Sequence, residues 1–108
     1  MADYTKEHKI IDEALKAARN ATNAYLAEHG DRDCCGFAWV NIFGNRRLIN
    51  AMKAIKLGSS SYEGGWKVWN PSGAGTQALS AKEAGADAFA EVLRDAGYER
   101  VYAGSRMD

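Results

Sequence analysis

Nine consecutive uncharged residues, Cys35 to Phe43 (CGFAWVNIF), constrain this chain more than any other stretch. Their aromatic and β-branched content predicts a β-strand. Side chains alternate between the faces of a strand, so Phe37, Trp39 and Phe43 fall on one side. Ala38, Val40 and Ile42 fall on the other. Both sets are apolar, which predicts a central strand covered on both faces. The rest of the chain has to supply that cover.

Helices are available to do so. Ile11, Ala14, Leu15, Ala18, Ala21, Tyr25 and Leu26 recur at helical steps, predicting a helix from Thr5 to His29 that stops at Gly30. Its six alanines leave a slim face suited to close packing. A second helix is expected from about Arg46 to Leu57, ended by Gly58. The polar loop SSSYEGG leads to a short strand, Trp66 to Asn70, closed by Asn-Pro. Trp66 and Trp69 are out of alternation, so one of them should face a core or an interface. Ser80 with Glu83 makes a capping-box pattern for a third helix reaching Ala96. Val101 to Gly104 reads as a third strand. The adjacent Cys34 and Cys35 read as small buried hydrophobes opening the central strand.

The expected fold is α/β or α+β: one domain over residues 1–108, with α-β-α-β-α-β order and a three-stranded sheet flanked by helices. A helix between successive strands makes parallel crossovers the economical topology. An antiparallel sheet with its helices on one face is the alternative, which the loop at residues 58–65 permits. Three strands and three short helices leave apolar surface over, predicting a homodimer or higher oligomer.

The fourteen basic and fourteen acidic residues cancel, which argues against coating an extended nucleic acid or a membrane surface. No apolar run approaches the roughly 18 residues of a membrane span. The charged start (MADYTKEHK) lacks a signal-peptide core, so the cytoplasm is the expected compartment. Along the chain the balance is uneven. Residues 34–79 carry five bases against one acid, while both flanking segments are acidic by two. That asymmetry points to one anionic ligand or partner surface better than to a long polyanion, the structural alternative being a solvated basic helix face.

With parallel strands, three segments meet at one sheet edge, where open sheets bind ligands. They contribute Asn45, Arg46 and Arg47; Trp69, Asn70, Ser72, Gly73, Thr76 and Gln77; and Ser105, Arg106 and Asp108. Arginine suits phosphate, and tryptophan suits a base. The set predicts a pocket for a phosphate-bearing, nucleotide-like ligand. Each residue alone also has a purely structural reading: NPSG is a common turn, and Ser80 with Glu83 needs only to cap.

Chemistry finds less support. No P-loop or Rossmann spacing occurs. His29, Cys34 and Cys35 are too few and too crowded for zinc, so no metal, cofactor or catalytic residue is expected. Binding without turnover is the simpler reading, and a small nucleotide-processing enzyme is the weaker one.

The strings CCGFAWV (34–40), WNPSG (69–73), KEAGADAFAEVLRDAG (82–97) and AGSRMD at the end resemble small accessory proteins of tailed bacteriophages. The resemblance implies action in the host bacterial cytoplasm against something of the host's. It carries no site residues. Sequestration of a nucleotide immune messenger fits the arginine pocket. Occlusion of a host protein would use an exposed aromatic surface around Tyr62, Trp66 or Trp69.

Overall fold

The computed structural model describes residues 3–31, 34–62 and 64–107. The element order is α1 (Thr5–His29), β1 (Gly36–Ile42), α2 (Arg46–Ala54), β2 (Ser59–Ser60), β3 (Trp66–Trp69), α3 (Leu79–Asp95) and β4 (Val101–Met107). The sheet runs β2-β3-β1-β4, and every neighbouring pair is antiparallel. Without α1, this is the β-α-β-β-α-β connectivity of the ferredoxin-like, or split β-α-β, motif.

The chain is a mixed helix-and-sheet fold as expected, with β1 at the centre of the sheet. Two expectations about the sheet are corrected. It has four strands, because Ser59–Ser60 pairs with Lys67 and Trp66. It is antiparallel with its helices on one face, the alternative named above and not the parallel crossover, because that extra strand enters a tight hairpin. Ser61 N–H donates to Gly65 O (3.2 Å) and Gly64 N–H to Ser61 O (2.9 Å). Gly64 and Gly65 have φ of 98° and 74°, which glycine adopts without steric cost. The hairpin reverses the chain, so β3 returns against β1 instead of running with it.

The helices cover one face of the sheet. Ala38, Val40 and Ile42 of β1, Trp66 and Val68 of β3 and Val101 of β4 point into a core with Leu48, Met52, Phe89 and Leu93. Helix α1 packs antiparallel along α3 through Ala14, Ala18 and Thr22. Thr22 Oγ1 donates to Ala81 O (2.7 Å), meeting its hydrogen-bond need inside the interface. Gly85 permits that approach. A Cβ there would lie 2.5 Å from Thr22 Oγ1 and 3.2 Å from Ala18 O. The other end of α1 is tied to α2. Glu7 pairs with Arg47 (3.3 Å), and the His8 ring lies 3.1 Å from Ala51 O.

Local details also differ from expectation. Helix α2 ends at Ala54 rather than Leu57, and β4 continues to Met107. Ser80 does not cap α3. The helix begins one residue earlier, with Ala78 at the cap, and the Ala78 N–H is taken by Thr76 Oγ1 (3.0 Å). Glu83 instead accepts from Ser105 Oγ (2.5 Å). Cys34 and Cys35 are exposed, since only an isolated bridge, Cys35 to Ala78, precedes the strand proper. Among the described residues, no helix covers the second face of β1, where Phe37 is exposed.

Candidate functional site on the open sheet face

Antiparallel pairing separates the residues that a parallel sheet would have gathered. Because β1 opposes both neighbours, its end at Asn41–Ile42 lies beside the start of β3 and of β4. Asn45, Arg46 and Arg47 therefore stand at one end of the sheet. Residues 70–77, Ser105 and Arg106 stand at the other, and Asp108 lies outside the described residues. The single edge pocket is corrected to two separate regions.

Several of its members hold the fold. Asn45 sits in the left-handed region (φ 47°), with Nδ2 donating to Phe43 O (3.1 Å) and Glu99 O (2.5 Å). Arg47 bonds Asp3 O and Glu7 and lies over the Tyr4 ring. Its hydrogen bond holds the Glu7 carboxyl below its ordinary value, and Glu7 in turn raises Arg47. The 70–78 loop is bonded internally, Asn70 Nδ2 to Ala74 O (3.0 Å) and Ser72 Oγ to Asn70 Oδ1 (3.1 Å), and tied to the segment after α1 by Thr76 Oγ1 donating to Asp31. Ser72 and Thr76 are buried, while Gly73 and Gln77 are exposed at its tip.

Arg46 keeps an exposed position. It lines a groove of about 430 Å³ with Asn50, Lys53, Ser60, Gly65 and Trp66, at the start of α2. Trp66 is the inward-facing member of the tryptophan pair. It is 9% exposed, and its indole N–H donates to Leu57 O (2.8 Å).

The open face carries a denser constellation. Strand alternation puts Phe37, Trp39 and Asn41 of β1, Lys67 and Trp69 of β3, and Tyr102, Gly104 and Arg106 of β4 on it. Phe37, Trp69 and Tyr102 are 39%, 49% and 54% exposed. Trp39 packs at 5.2 Å from Trp69, and Phe37 meets Trp69 edge-on at 6.3 Å. Trp39 lies down across β4, since a Cβ on Gly104 would fall 2.6 Å from its Nε1. Glycine at 104 thus gives the indole its bed.

Cations are interleaved with these rings. Lys67 Nζ lies 4.9 Å from the Trp39 ring and 5.0 Å from the Trp69 ring, and the Arg106 guanidinium 5.7 Å from Phe37. Such placements are attractive by about 0.5–2 kcal/mol each, and they fix the charge beside the rings. At the far end Phe43 packs 6.1 Å from Tyr102, with Arg100 5.5 Å from Phe43. None of the described outward-facing residues of β1, β3 and β4 is an acid. Among the described residues, Asn41 Oδ1 is the one buried side-chain polar atom with no hydrogen-bond partner, and it sits between Lys67 and Tyr102 in register.

Of the expected site residues, Trp69 and Arg106 belong to this constellation. Phe37, Trp39, Lys67 and Tyr102 were missed as ligand candidates, although the period-two aromatics of β1 were visible. No group of three or more metal-ligating side chains occurs among the described residues. Nor is any described helix long and apolar enough to cross a membrane. Comparison with protein-family models, curated proteins and solved structures finds no match.

Proposed function

We propose that this chain is a binding module for a nucleotide-like, phosphate-bearing ligand, and that the ligand lies on the open sheet face. The observation that carries the reading is the cluster of Phe37, Trp39 and Trp69 with the buried Lys67 packed against the tryptophans and the exposed Arg106 beside Phe37. A base stacks on an aromatic ring whatever its identity, typically contributing about 1–3 kcal/mol. An exposed arginine beside the ring offers a planar fork to a phosphate. An antiparallel four-stranded sheet with aromatics on its two central strands is a known physical solution for holding bases. In the bacteriophage setting that the sequence resemblance implies, such a module would act in the host cytoplasm by withholding a nucleotide messenger without turning it over.

Half-exposed aromatic side chains also favour a second reading, in which the same face is covered by protein, either a host factor or a second copy of the chain. The exposed guanidinium of Arg106 beside the Phe37 ring favours the anionic ligand.

A thermal-shift screen against mononucleotides, cyclic di- and trinucleotides and short oligonucleotides tests the first reading. A ligand at about 100 times its dissociation constant stabilises by roughly 2.7 kcal/mol. For a domain of this size each kcal/mol moves the midpoint by about 4–8 °C. The expected result is a clear shift that Trp69→Ala and Arg106→Ala remove, with the ligand recovered intact by mass spectrometry. No shift across the panel overturns the nucleotide reading and leaves the protein partner. Recovery of cleaved ligand would make the chain an enzyme.

A further inference from the structure

The open face has two aromatic–cationic clusters, one at each end. Phe37, Trp39, Trp69 and Arg106 form the first, and Phe43, Tyr102 and Arg100 the second. Both lie on the same face of β1, because residues 37, 39 and 43 share its parity. Six residue steps at about 3.4 Å each separate Phe37 from Phe43 by roughly 20 Å. A single nucleotide cannot touch both ends. Between them lie Asn41, whose side-chain carbonyl has no hydrogen-bond partner among the described residues, and the buried Lys67.

We infer that the ligand of this face is a short single-stranded oligonucleotide that runs along β1, with bases on both clusters and phosphates toward Arg106 and Arg100. This rests on the nucleotide reading above and names its ligand class. Stacked bases advance about 3.4 Å each and splayed bases further, so a strand of about four to six nucleotides spans the two clusters. The neutral total charge does not oppose this, since only a few local cations face a few phosphates. A duplex does not fit, because its bases are paired and not free to lie on the rings. Every base presents a π-face, so weak sequence preference follows.

The test is a length series of oligothymidylates from thymidine monophosphate to a decamer, titrated into the full chain and followed by isothermal calorimetry. Affinity should rise at least tenfold between the dimer and the hexamer, then level off. Each additional stacked base is worth on the order of five- to a hundredfold. Tyr102 is exposed, so Tyr102→Ala should fold normally. It should weaken the hexamer at least fivefold and leave the dimer unchanged, whereas Trp69→Ala should weaken both. The hexamer's log–log salt slope should be about −0.7 per phosphate contact and flatten by about that amount in Arg106→Ala. Thymidine monophosphate binding as tightly as the hexamer, with Trp69→Ala abolishing both, would overturn the oligonucleotide and leave the nucleotide site standing. Tyr102→Ala binding the hexamer like the unmodified chain would also overturn it. No binding at any length overturns the oligonucleotide, and the broader nucleotide reading then falls only if the thermal-shift panel is also silent.

Discussion

The two faces of the sheet are built from one set of strands to opposite specifications. Inward, Ala38, Val40, Ile42, Val68 and Val101 are small or branched, fully buried, and matched by Leu48, Met52, Phe89 and Leu93 from the helices. Outward, the same strands carry three large aromatic rings, Trp69 meeting both Phe37 and Trp39, and two cations, and no described helix covers them. Small residues inside let helices approach the sheet closely, which gives stability. Large rings outside leave apolar area exposed, which a monomer has no folding reason to keep. The contrast separates the residues that make the domain stand from those available to a ligand.

Removing a ring from each face should sharpen that contrast most. Phe89 is fully buried, so Phe89→Ala should cost about 3–5 kcal/mol, read as a lower denaturant midpoint at unchanged slope. Trp69→Ala should cost about 1 kcal/mol, because half of that ring is already in water, while ligand binding is lost.

One substitution made at two glycines probes the same divide. Gly85→Ala forces a methyl against Thr22 Oγ1 and the Ala18 carbonyl between two packed helices. The expected cost is about 1–3 kcal/mol, less whatever the helix gains from alanine. At Gly104 the obstructing atoms belong to the Trp39 indole, which can swing outward. Gly104→Ala should therefore cost under about 1 kcal/mol while disturbing the aromatic platform. Near-ultraviolet circular dichroism should register the displaced indole, and equal destabilisation at both glycines would break the distinction.

The smallest effect should come from the α1–α2 tie. The Arg47 hydrogen bond lowers the Glu7 pKa, so the pair contributes stability above the ordinary carboxylate range. That contribution is lost as pH falls through the lowered value in the folded chain. Glu7→Gln should remove this part of the acid dependence and leave ligand affinity at neutral pH unchanged. Urea melts across the acid range provide the check.

What could be read from the residues depended on whether local pattern or pairing decided it. Helix α1 spans Thr5–His29 as its periodicity predicts, because 25 residues with alanine-rich spacing and a terminal glycine leave few other solutions. The centrality of β1 followed from its two apolar sets. The topology turned on Ser59–Ser60, a two-residue strand with no apolar pattern of its own. Only the Gly64–Gly65 pair hinted at the hairpin that reverses the chain. The site was lost by the same step. Arg46 and Arg106 were placed together by a direction of β3 and β4 that the hairpin forbids. The polar loop at 70–78 looked available, yet Asn70, Ser72 and Thr76 spend their side chains on the loop itself. The aromatic face was visible in Phe37, Trp39 and Phe43 as an apolar set. That it stays uncovered depends on where the helices settle.

The three tryptophans make the central claim directly measurable. Trp39 and Trp69 belong to the open face, whereas Trp66 points inward and lines the groove beside Arg46 and Lys53. Nuclear magnetic resonance of the three indole N–H groups, during titration with a thymidylate hexamer, follows each separately. The Trp39 and Trp69 signals should move together with ligand concentration, while Trp66, bonded to the Leu57 carbonyl, stays in place. Movement of Trp66 with the other two fixed would put the ligand in the groove and contradict the open face as the binding surface.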